Sequence, residues 1–111
     1  MKRTITIEGK DYQIECNALL PRQYRKEFGQ DLLVGMRDFK ARYDNDPNDL
    51  DTTVLENLTW LMLGAAGEDV GDNVEEWLAS LDDSFAVYNV INDVVDLWLQ
   101  TQKTTSKPKK K

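Results

Sequence analysis

Three groups of side chains in this sequence have the types from which a reactive or metal-binding site is built. Asp44, Asp46 and Asn48 alternate as the first oxygen ligands of a calcium loop do. The spacing then fails. Asp49 stands at the sixth position, where the sharp turn needs glycine, and Leu55 at the twelfth, with Glu56 one residue late. An acidic linker is the reading that survives. Glu75–Glu76 and Asp82–Asp83 are adjacent carboxylates, the raw material of an acid–base pair. Neighbours on a helix point in different directions and do not converge on a substrate. Each pair instead stands where a helix opens and negative charge complements the dipole. Cys16 is the single cysteine, and the chain has no histidine. That leaves no internal disulfide, no cysteine–histidine nucleophile and too few ligands for zinc. Cys16, at the end of a strand-like segment, reads as a small buried hydrophobe. No glycine-rich phosphate loop or nucleophile elbow occurs. The chain is expected not to be an enzyme and to use no cofactor or metal.

The charges are sorted along the chain. The net charge is −6 over 111 residues. Residues 1–43 hold nine Lys/Arg against six Asp/Glu; residues 44–102 hold fourteen Asp/Glu and no cation; residues 103–111 hold five lysines. The central acidic stretch repels nucleic acid and attracts basic surfaces, or simply keeps the domain dissolved. The lysines alone offer only salt-sensitive phosphate contact, so no specific nucleic-acid complex is expected. The longest apolar run, Leu61–Ala66, is far short of the about 20 residues a bilayer demands, so no membrane association is expected. The opening alternates polar and apolar residues where a signal peptide would be continuously apolar, which places the protein in the cytoplasm.

The elements follow from periodicity. Thr4–Ile7 and Tyr12–Cys16 alternate with period two around the turn residues Glu8–Asp11, a β-hairpin with one apolar side that must pack on helices. Pro21 opens a first helix and Gly29 ends it. A second begins at Asp31, with Leu32, Met36, Phe39 and Tyr43 as its stripe. The third opens on a capping box, Thr53-x-x-Glu56, with the stripe Val54, Leu58, Leu61 and Ala65 widened by Leu55, Trp60, Met62 and Leu63. A helix apolar on so many sides is central or covered by a second subunit, so a homo-oligomer is expected. Asn73-x-x-Glu76 caps a short fourth helix bearing Val74, Trp77, Leu78 and Leu81. Asp82–Asp83–Ser84 is read as the cap of the last, whose stripe is Val87, Ile91, Val94 and Trp98. After Gln102 the pattern stops. The expected fold is α+β, mainly α: one domain over 1–102, a hairpin packed on about five helices, and a disordered lysine-rich tail over 103–111. Trp60, Leu61, Trp77 and Trp98, on the broadest stripes, are the candidate partner-binding residues, since tryptophan is enriched among interface anchors.

With these features in order, the whole chain resembles the tail assembly chaperones of long-tailed phages and prophages of Gram-positive bacteria. The likeness rests on the hairpin Ile7-Glu8-Gly9-Lys10-Asp11-Tyr12, on the helix junction Arg25-Lys26-Glu27-Phe28-Gly29-Gln30-Asp31, on the acidic helical body and on the lysine-rich end. The resemblance implies a protein that holds the tape measure protein before the tail tube polymerises, and that brings in the major tail protein. It also implies action in the host cytoplasm, absence from the mature virion and, in many members, a longer frameshifted product. Lys109–Lys110–Lys111 is compatible with a run of adenines on which ribosomes slip. Two other readings fit the residues: an acidic DNA mimic inhibiting a nucleic-acid-binding enzyme, supported by the cation-free stretch, and a head–tail completion protein.

Overall fold

The computed structural model describes residues 1–48 and 52–106, with side chains as far as 101. The alternating segments form antiparallel strands β1 (Lys2–Ile7) and β2 (Lys10–Glu15), with Ile7 opposite Lys10. That register leaves a two-residue turn, Glu8–Gly9, whose φ angles are 52° and 82°. Positive φ at both positions gives the turn a twist that matches the strands. Glycine adopts it freely, whereas Glu8 must be held there. Its carboxylate accepts hydrogen bonds from the backbone N–H groups of Asp82 (2.7 Å) and Asp83 (2.6 Å). The hairpin turn is thereby tied to a loop 74 residues away in sequence.

One face of the hairpin buries Ile5, Ile7 and Ile14 against the helices, and Cys16 is buried just beyond β2. The other face is polar, and Thr6 donates across it to Asp11 at 2.7 Å. The Cys16 thiol lies 3.3 Å from the Thr101 hydroxyl, and burial pushes its pKa up, so it stays a protonated small hydrophobe.

Five α-helices follow among the described residues: α1 (Leu20–Phe28), α2 (Leu32–Asn45), α3 (Thr53–Ala65), α4 (Val74–Ala79) and α5 (Ile91–Ser106). Pro21 lies in the first turn of α1, which stops at Gly29. Asp31 caps α2, accepting from the N–H of Leu33 (2.9 Å) and Val34 (3.2 Å). Asn73 caps α4 through the Glu76 N–H at 2.8 Å, and the Glu76 carboxylate returns to the Asp72 N–H at 3.3 Å. The expected hairpin-plus-helices fold is thus present. No helix among the described residues is long and apolar enough to cross a membrane.

Several local expectations are corrected. The N-cap of α3 is Thr52, one residue before the expected Thr53; it makes no side-chain cap bond, and its hydroxyl contacts the Glu56 carboxylate at 3.4 Å. The last helix does not start at Asp82–Ser84. There Glu8 holds the backbone, and Asp83 accepts from the Phe85 N–H at 2.8 Å, a local turn that competes with helix. Turns and a short 3₁₀ segment, Tyr88–Val90, come first, although Ala86, Val87 and Val90 are still buried. At its other end α5 runs on to Ser106, past Gln102, because helix continues beyond the last apolar stripe residue; residues 107–111 of the expected tail lie outside the described residues.

Helix α3 is the hub. It packs against β2, α1, α2, α4 and α5. Its most buried arc is Leu55, Leu58, Thr59, Met62 and Leu63, one position round from the expected stripe. Trp60 is buried as well, under the edge of Phe28 (ring centroids 6.1 Å apart), which in turn packs on Tyr24 at 4.8 Å. Gly35 sets the approach of α2, since a Cβ there would lie 3.2 Å from the Val54 side chain.

Two outcomes are expected. Glu8→Ala removes both anchors of the turn and should cost about 1–3 kcal/mol, read as a lower midpoint in urea unfolding. The Asp31 carboxyl lies below the usual carboxylate range, chiefly because the Val34 N–H bonds to it, with Leu33 and Arg25 adding to the effect. A lowered folded-state pKa gives stability that is present above the unfolded value and is lost as pH falls through the folded one. Asp31→Asn keeps a capping oxygen without the charge. Its melting temperature should therefore fall less than that of the parent between about pH 5 and pH 3.

Candidate functional site

The residues first considered for chemistry are occupied in structural roles. Asp44 is not in a loop: it lies in the last turn of α2, ion-paired to Lys40 at 2.8 Å, and Asp46 accepts from the Asn48 N–H at 3.0 Å. Among the described residues no three acidic or cysteine side chains converge as a metal would require. Several carboxylates, in the acidic stretch and outside it, accept from backbone N–H groups. Besides Glu8, Glu76 and Asp83, Glu68 accepts from the Gln13 N–H on the open edge of β2 at 2.7 Å, and Asp69 from Gly71 at 3.3 Å. Arg3 reaches Asp93 (3.5 Å) and Asp96 (3.9 Å) on α5.

The four candidate partner-binding residues are not brought together. Trp60 is a core residue whose indole N–H donates to the Val70 carbonyl at 3.1 Å. Trp77 is buried beside the hairpin turn, near Ile7 and Leu63. Leu61 is half-buried against the core. Trp98, 6% exposed, is the one that reaches a substantial concavity.

That concavity lies between α2 and α5. Both helices pack on α3, and among the described residues their backbones do not approach each other closely. The groove between them holds about 650 Å³. One wall is Leu33, Met36, Phe39 and Tyr43 of α2; the other is Tyr88, Ile91, Val95 and Leu99, with Met36 and Trp98 the most buried lining side chains. Each wall repeats at intervals of three and four residues, the spacing of a helical stripe. Leu33 is 55% exposed, Tyr43 and Tyr88 45%, and Leu99 37%. The Phe39 and Tyr43 rings stack with centroids 6.1 Å apart; Phe39 packs on the core and also lines the groove, and Tyr43, the far end of the expected α2 stripe, is exposed on the groove wall. The polar lining is Arg37, Lys40 and Asp44 on α2, opposite Asn89 and Asn92.

Sequence reasoning missed this groove. It placed the surplus apolar surface on α3, which one chain covers from five directions. The signal available was width: Leu33 and Val34 lie off the α2 stripe, and Val95 and Leu99 off that of α5, more apolar circumference than one contact needs. Neither a protein-family model, nor a curated protein, nor a solved structure matches the chain.

The groove separates two kinds of substitution. Trp98→Asp buries an unpaired charge and should unfold the domain, at a cost of several kcal/mol. Leu33→Asp and Leu99→Asp change exposed wall positions and should stay within about 0.5 kcal/mol of the parent. Thermal melts check the first contrast. Binding of a hydrophobic dye, reduced in the two leucine variants, checks that the groove is the exposed apolar surface.

Proposed function

We propose that this chain is a phage tail assembly chaperone, a non-catalytic domain that holds a helical segment of the tape measure protein and keeps it dissolved until the tail tube forms. The observation that supports this reading is the open groove between α2 and α5. Its walls are apolar, partly exposed and spaced as an amphipathic helix requires. The resemblance in the hairpin and at the α1–α2 junction supplies the partner's identity, with the major tail protein as a second partner. The site of action is the host cytoplasm, before the virion is complete. From Leu33 to Asp44 the α2 wall rises about 16 Å, three turns of a bound helix. A contact of that length lies at the small end of protein interfaces, which suits a partner that must later be released.

The DNA-mimic reading draws less support. A mimic needs carboxylates held outward in the spacing of phosphates, and in the cation-free stretch Glu68, Glu76 and Asp83 are bonded to backbone N–H groups.

Co-expression with the tape measure protein of the same gene cluster tests the proposal. The parent domain should raise the partner's soluble fraction and co-purify with it. Leu33→Asp with Leu99→Asp should abolish both effects while the domain stays folded. An insoluble partner that never co-purifies with the parent domain rejects the assignment; salt-labile binding to a nuclease instead would favour the mimic.

A further inference from the structure

The groove's apolar walls say that a helix fits, and its rim says which kind. Among the described residues the charged side chains lining it are Arg37, Lys40 and Asp44. Asp44 is neutralised by Lys40 at 2.8 Å. Arg37 meets only its neighbour Asp38, at 3.5 Å and with both side chains mostly exposed, a weak pair that leaves the guanidinium to a better partner. The opposite wall offers the uncharged amides of Asn89 and Asn92. Lys40 is spent in its pair with Asp44, so the cation that the α2 edge offers a partner is Arg37, while the opposite edge is neutral, in a protein whose net charge is −6.

We infer that the groove selects an amphipathic helix whose apolar stripe is bordered by carboxylates on the side facing α2. This rests on the reading that the groove holds a helical partner. Arg37 and Lys40 stand three residues apart and share one face of α2. A carboxylate on the bound helix beside Arg37 replaces the weak Asp38 contact, a second one turn on competes with Asp44 for Lys40, and a lysine at either place meets like charge. The same edge argues against two nearer occupants. Residues 103–111 carry five lysines and no apolar side chain, so they share the sign of the rim and have nothing with which to fill the walls. A second copy that docked by its own α2 wall would bring its own Arg37 and Lys40 against the same rim.

The test uses the full chain and three synthetic peptides of about 14 residues, the length of α2. All carry the same leucine and phenylalanine stripe, and they differ only in flanking Glu, Gln or Lys. Fluorescence anisotropy should show the Glu peptide binding about tenfold tighter than the Gln peptide and the Lys peptide weakest, with the gap shrinking in high salt. Arg37→Glu with Lys40→Glu should reverse the order; both positions are exposed, and circular dichroism verifies the fold. Equal affinities for the three peptides would overturn the charge selection and leave the helix-binding groove standing. No binding of any peptide would overturn both. A dimer in light scattering that Leu33→Asp dissociates would also overturn the inference, because the occupant would then be a second copy.

Discussion

Helix α3 carries Leu55, Leu58, Trp60, Met62 and Leu63 around most of its circumference, and water must be kept from all of them. Each such side chain contributes about 1.5–3 kcal/mol when buried, more than an ordinary neutral hydrogen bond supplies. The arrangement of the rest follows. β2, α1, α2, α4 and α5 are all committed to α3. A helix laid on a central helix shows it one face. When α2 and α5 flank the same core with their backbones apart, their outer margins stay separated unless another element fills the gap. The described residues offer none. The groove is what covering α3 leaves over, and that is why its walls are apolar at the positions just off each helix's core-facing stripe.

The parts of this arrangement that local rules dictate were legible. Period-two alternation gave the hairpin, Pro21 and Gly29 bounded α1, and Asp31 and Asn73 marked the starts of α2 and α4, because each signal acts within a few residues of itself. The errors arose where distance in sequence mattered. Asp82–Asp83–Ser84 has the composition of a helix cap, but Glu8, from the far end of the chain, holds those N–H groups and α5 begins only at Ile91. On α3 the apolar residues occupy so many positions that periodicity cannot choose an arc. The tryptophans misled for a related reason. Size makes them interface anchors, and the same size makes them the best core fillers, which is how Trp60 and Trp77 are used. The groove's exposed walls are built from Leu33, Tyr43, Tyr88 and Leu99, ordinary residues whose exposure depends on what fails to cover them.

The cation-free stretch also changes meaning once folded. A surface of carboxylates without lysines would repel itself, but some of these groups are tied to backbone N–H groups. Glu68 closes an N–H on the free edge of β2, and Glu76 and Asp83 bond to the loops beside them. A bonded carboxylate on an open edge both satisfies the donor and discourages another strand from pairing there. The acidic composition is thus partly a structural device for loops that have little regular hydrogen bonding of their own.

What remains is the seam between the two charge territories. All Lys and Arg up to residue 102 lie in the first 43 residues, and α2 is the last element of that basic third. Because α2 and α5 come together only by way of α3, the groove takes one wall from the basic territory and the other from the cation-free one, at a stretch of α5 that shows amides where acids might have stood. An exposed apolar groove is an aggregation hazard when its rim is neutral. On the proposed reading Arg37 on that rim serves two ends at once: it opposes a second α2 wall, which would bring its own Arg37, and it favours a helix of opposite sign.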